Sequence, residues 1–261
     1  MKRLKDNLWI WGQPAGSHHK VENNMWNLPG VNKMGPLEGA KHLGIPNMCI
    51  VTSGNDPEPP FDGLAEELKE CPQVVFSIIG DYSSTRFNGG YTDLEYVLDV
   101  GRKYPNIIGG VMDDFLRPER QEIFSAEVVG QFADKLHAQE MQLWTVIYEN
   151  ELIDEVIPYL EHCDVISFWT WEGQSLKDME KNLAKLKSLT KGEKKFLMGC
   201  YMWDYGNSKP LSLEDMEYQW NTYKRLFDEG EIDGVIVCSN CISDIGSEAA
   251  DYTKKWIEEN A

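Results

Sequence analysis

Eight short runs of apolar, β-branched or aromatic residues punctuate the chain, at positions 8–12, 47–53, 73–80, 106–113, 141–148, 164–169, 195–202 and 233–239. They recur about every 32 residues, and each is of strand rather than helix length. The intervening segments place apolar residues three or four apart, which predicts helices over 36–43, 61–69, 92–104, 125–139, 152–160, 176–189, 213–229 and 247–258. Several carry start signals: Ser125 precedes an apolar-periodic run, and Ser212 is followed three residues later by Asp215. Strands that are apolar on both faces and alternate with amphipathic helices form a parallel sheet covered on both sides. Eight such units filling 1–261 predict an α/β chain, a single-domain (β/α)8 TIM barrel. An open doubly wound sheet would carry a glycine-rich phosphate loop after its first strand, and the stretch from Gly12 to Gly16 lacks that spacing.

Charge narrows the partners. Lysine and arginine total 25 against 43 acidic residues, a formal net charge of −18, and such a field repels phosphate backbones and anionic lipid. Neither nucleic acid nor a membrane is an expected partner, and no run approaches the ~20 apolar residues a spanning helix needs. The basic start, Lys2 and Arg3, leads into Trp9 and Trp11 rather than the apolar core of an export signal. A cytoplasmic location is expected, with a secreted form still open if a signal peptide was removed. Of the six cysteines, most sit in or beside strand-like runs, as small buried thiols do. Cys238 and Cys241 have C-x-x-C spacing without a second pair, so neither a metal nor a cofactor is expected.

The chemistry gathers where a barrel carries it, at the carboxyl ends of the strands. Strand four runs from an apolar core into Asp113 and Asp114, and unpaired carboxylates there cost several kcal/mol unless compensated or used. The alternative is that the two cap the following turn or pair with Arg117. Glu149, Glu172 and Asp204 follow strands five, six and seven, and are candidate partners for the pair. Trp11, His18, Asp81, Tyr148, Trp169, Trp171, Tyr201, Trp203 and Asn240 are candidate substrate contacts at the same end. Flat aromatic faces suit the C–H surfaces of sugar rings, and paired carboxylates suit glycosidic cleavage.

With those residues in place, the chain resembles the barrel glycoside hydrolases, in which the end of strand four supplies a catalytic carboxylate and strands five to seven its partner. The segment from Gly110 to Phe115 is similar to their strand-four motif. It departs from the chitinase-like pattern, which needs a Glu where Leu116 stands, and is closer to the amylase and galactosidase arrangements. The resemblance implies a carbohydrate substrate. Two other readings stay open: a non-catalytic carbohydrate-binding barrel, and a Mg²⁺-assisted lyase or isomerase with Asp81, Asp113 or Asp114, and Glu149 as ligands. Strand alternation also separates the Asp pair. The expectation is that Gly110, Met112 and Asp114 face the barrel interior, with Asp113 turned towards the helices in support. The oligomeric state is not legible.

Overall fold

The computed structural model describes residues 2–20, 23–192 and 194–261. Eight parallel strands close into a barrel: β1 (Leu8–Gly12), β2 (Asn47–Ile50), β3 (Val74–Ile79), β4 (Ile107–Met112), β5 (Gln142–Tyr148), β6 (Val165–Trp169), β7 (Lys195–Tyr201) and β10 (Gly234–Cys238). Each pairs with the next in sequence, and β1 with β10 closes the circle. A two-residue antiparallel ribbon, β8 (Trp203–Asp204) with β9 (Lys209–Pro210), decorates the loop after β7. Helices cover the outside: α1 (Ser17–Lys20), α2 (Pro36–Leu43), α3 (Asp62–Glu67), α4 (Leu94–Lys103), α5 (Pro118–Ile123), α6 (Ala126–His137), α7 (Ile157–Leu160), α8 (Met179–Leu189), α9 (Leu213–Asp228) and α10 (Glu248–Asn260). The expected (β/α)8 barrel is the fold.

Local chemistry explains several boundaries. The Ser125 side chain accepts from Val128 N at the start of α6, and Ser212 from Asp215 N at the start of α9, so each start signal read in the sequence caps its helix. Pro36 opens α2, and Gly44 closes it in the left-handed conformation that glycine takes without steric cost.

The barrel interior is filled by large rings rather than by aliphatic layers alone. Trp9 and Trp144 meet edge to face at 4.8 Å, and Trp11 and Trp169 do so at 5.4 Å. Space for them comes from glycine: a Cβ on Gly199 would fall 2.1 Å from the Trp169 ring, and one on Gly109 would lie 3.2 Å from Trp144 Nε1. These contacts fix the parity of β4. Gly109 looks into the barrel, whereas a Cβ on Gly110 would press on Ile78 and Leu136, the latter on α6. The inward set is therefore Gly109, Val111 and Asp113, the reverse of the expected facing. Among the described residues, no helix is long and apolar enough to cross a membrane.

Candidate active site

A cavity of about 1060 Å³ opens at the carboxyl ends of the strands. Asp113 reaches it directly, as the inward residue at the end of β4. Asp114 belongs by alternation to the helix side, but its backbone turns to φ +45°, a left-handed conformation that Asp tolerates better than most residues. The turn brings its carboxylate back to the mouth, where Oδ1 accepts from the Tyr148 hydroxyl at 3.0 Å and Oδ2 from Tyr82 N at 3.1 Å. Both carboxylates line the cavity, and both are more than nine-tenths buried.

Burial above all, then the charges of Asp114 and Asp81, hold the Asp113 carboxyl well above the usual carboxylate range. Asp81 is raised chiefly by burial as well, although Oδ1 accepts from Ser83 N at 3.0 Å and Ser83 Oγ at 2.6 Å. Behind this trio the buried Arg120 guanidinium donates to Asp81 O at 3.1 Å and Ser84 O at 3.2 Å. Burial pushes the Glu151 carboxyl up to about 7, although Tyr148 N donates to it at 2.9 Å. Burial lowers His18 to about 4, leaving a neutral imidazole whose Nδ1 meets the Tyr205 hydroxyl at 2.9 Å.

The aromatic wall is organised around Trp171. Its ring stacks on Tyr205 at 5.7 Å, and Trp26, Tyr148 and Tyr201 approach edge-on at 5.5, 5.8 and 5.9 Å. Trp11, His18, Asp81, Tyr148, Trp169, Trp171 and Tyr201 all border the cavity, as their positions after the strands suggested. Trp11, Trp169 and Tyr201 are buried almost completely, so Tyr148 and Trp171 present the more open rings among the expected aromatics.

The remaining candidates lie elsewhere. Both oxygens of Glu149 accept from Trp171 N, at 3.0 and 3.1 Å. Glu172 accepts from Gln174 Nε2 at 2.6 Å. Asp204 accepts from Asn207 N at 3.2 Å and from Asn207 Nδ2 at 3.0 Å, holding the turn between β8 and β9. None of the three is among the cavity-lining residues. Trp203 is buried with its Nε1 on Trp26 O, and Asn240 clamps the backbone of Gln13 from both sides. Conversely, Glu151, Arg117, Trp26 and Tyr205 line the cavity without having been candidates. Tyr205 belongs to an aromatic run that did signal itself, whereas Glu151 is one acid in an acidic loop with nothing to mark it. The Mg²⁺ ligand set is not assembled: among the described residues no three His, Cys, Asp or Glu side chains converge as ligands, and Glu149 is engaged with Trp171.

Fold and site thus define a TIM barrel with an acidic, aromatic-walled cavity at its catalytic end. No family profile matches the sequence, and no curated protein matches it either. Among solved structures it is similar to a mutant tryptophan synthase α-subunit from the hyperthermophile Pyrococcus furiosus, with 14% identity, 98% of each chain covered and a TM-score of 0.55. A tryptophan synthase complex from the same organism gives 14% identity, 98% of each chain and a TM-score of 0.54. Another mutant α-subunit gives 16%, 98% of each chain and 0.55. Likeness at this level shows the fold. It also corrects the expected kinship, because these neighbours belong to a TIM-barrel superfamily other than the glycoside hydrolases. The glycosidase reading and its carbohydrate partner fall with that kinship, and the physical reason is visible at the rim. The three acids expected to partner the strand-four pair do not border the cavity: Glu172 and Asp204 are bonded to donors in their own loops, and Glu149 to Trp171 N in the next loop.

Proposed function

We propose that this barrel is an acid–base enzyme of the lyase or isomerase class, with Asp114 as the base and Asp113 as the acid. The observation that carries the reading is the adjacent, buried carboxyl pair bordering one cavity, in which burial raises the proton affinity of Asp113. A carboxyl of raised proton affinity beside a second carboxyl is what one active site needs to remove a proton and return another. Asp114 takes a proton from a substrate carbon or hydroxyl, and Asp113 gives one to the atom that leaves or receives the electron pair. The pair ends with the proton transposed, and exchange with solvent resets it. The Tyr148 hydroxyl, bonded to Asp114, fixes the orientation of the base. The aromatic wall limits water around the reacting atoms. The printed names of the structural neighbours are those of a synthase subunit rather than of a hydrolase.

The test is proton exchange. The protein is incubated in D2O with a panel of small ketoses, β-hydroxycarbonyl and α-aminocarbonyl compounds, and deuterium incorporation or elimination is followed by NMR. Wild type should label at least one compound, and Asp113→Asn and Asp114→Asn, each checked for folding, should slow the labelling by about 10²–10⁴-fold. Unchanged rates in both variants, or no labelling across the panel, overturn the proposal.

A further inference from the structure

The groups facing the cavity are unbalanced in two independent ways. In charge, among the described residues six carboxyl residues border it, Asp81, Asp113, Asp114, Glu119, Glu151 and Glu155, against one cation, Arg117, so the acidic excess stands even with the proton affinities of Asp113 and Glu151 raised by burial. His18 does not offset them, since burial keeps it neutral near pH 7. Arg120 lies behind the trio, committed through Nη2 to the carbonyls of Asp81 and Ser84. In hydrogen bonding, Gln13 also borders the cavity, and its buried Oε1 has no donor. The Gln13 backbone cannot swing to find one, because Asn240 Oδ1 accepts from Gln13 N at 2.8 Å and Asn240 Nδ2 donates to Gln13 O at 2.9 Å. A buried acceptor left alone is costly, and a ligand that brings a donor removes the cost.

We propose that the cavity takes a small organic cation, a protonated amine carried on a flat or apolar body. The ammonium supplies both what the carboxylates lack in charge and what Gln13 lacks in donors. The Trp171 ring, with Tyr205 stacked on it and Tyr148 at its edge, offers the electron-rich face that binds such cations in preference to neutral or anionic bodies. The same field repels phosphorylated and carboxylate-bearing ligands. This inference rests on the proposed acid–base site to the extent that both use Asp114, and it names the class of substrate that site receives.

The probes are phenethylamine, 2-phenylethanol and 3-phenylpropanoate, which share a phenethyl body and differ in the charge of the group it carries, titrated at pH 7 by calorimetry and tryptophan fluorescence. The ammonium should bind at least about tenfold more tightly than the alcohol, with the carboxylate weakest. Asp114→Asn should weaken the ammonium about tenfold or more and leave the alcohol within about twofold. Gln13→Leu should weaken the ammonium several-fold. Glu180→Gln, far from the cavity on α8 in an exposed pair with Arg225, should change nothing. Should Asp114→Asn not fold, raising salt from about 0.05 to about 0.5 M on wild type must weaken the ammonium and spare the alcohol. Equal binding of ammonium and alcohol, preference for the carboxylate, or binding of none overturns the inference. Amine binding without deuterium exchange in any compound keeps it and overturns the acid–base reading. Exchange confined to neutral or anionic compounds does the reverse.

Discussion

The two sides of the barrel mouth use the same residue types for opposite purposes. After β3 and β4, and in the turn that follows β5, Asp81, Asp113, Asp114 and Glu151 look into the cavity. Glu149, after β5, and Glu172 and Asp204, after β6 and β7, instead accept hydrogen bonds from donors in the rim loops and do not border the cavity. Glu149 and Glu151 show the contrast most closely, since they begin and end a single 3-10 turn. Glu149 reaches Trp171 N in the next loop and leaves the cavity, whereas Glu151 stays in it with a proton affinity raised by burial. An acid at the end of a barrel strand is thus available for chemistry only where the donors it meets leave it bordering the cavity, as Ser83 leaves Asp81.

The largest break in this comparison is catalytic. On whichever compound the wild type labels, Asp113→Asn and Asp114→Asn should lose about 10²–10⁴-fold in rate, while Glu149→Gln and Glu172→Gln stay within a few-fold. A comparable loss in the second pair would erase the distinction between the two sides. Next is Asp204→Ala, which strips Asn207 of its buried acceptor and should cost about 1–3 kcal/mol of stability. Denaturant unfolding should report that loss, with activity per folded molecule retained.

Smaller, and of fixed sign, is the pH effect of Glu151. Burial pushes its carboxyl up to about 7 in the folded chain from an ordinary 4.5, so the folded state binds the proton more tightly. Its stabilising contribution is full below about pH 4.5, declines as pH rises, and is gone above about 7. Glu151→Gln should leave stability unchanged at pH 4 and raise it by about 1–2 kcal/mol at pH 8, where the buried charge is removed. His18, lowered to about 4, contributes with the opposite sign between about 4 and 6.5, so the effect must be read as the difference between variant and wild type. Smallest is Glu149→Gln, expected to cost about 1 kcal/mol as a charge-assisted bond to Trp171 N becomes a neutral one. A shift in tryptophan fluorescence should accompany it.

The fold was legible because burial on both faces forces a continuous apolar run at every strand. The first strand and the second helix lie where the pattern puts them, over Leu8–Gly12 and Pro36–Leu43. Ends were less legible. The run read over 47–53 continues past Ile50 only through Val51, Thr52 and Ser53, and the ladder stops at Ile50. The segment at 152–160 resolves into a 3-10 turn over Asp154–Val156 and a short α7 with Pro158 in its first turn. Helix α5 has no apolar period to announce it. At the site, alternation correctly separated Asp113 from Asp114 but could not say which faced inward, because Gly109 and Gly110 are equally small. Nor does alternation foresee a positive φ that returns the outward residue to the cavity. The partners across the rim were illegible for the reason the two sides differ: the donors that claim Glu149 and Asp204 belong to loops whose paths only the folded chain defines.

Asn240 ties the end of the chain to its beginning. Its side chain holds Gln13 N, Gln13 O and Met34 O, and Asn32 donates to its carbonyl. During synthesis the loop after β1 is made before the other seven barrel strands, yet the group that sets it follows the last of them. The cavity therefore cannot be completed piece by piece as the chain emerges. A nascent chain stopped short of residue 240 lacks the clamp on Gln13, so completion of the ligand-binding end coincides with completion of the fold.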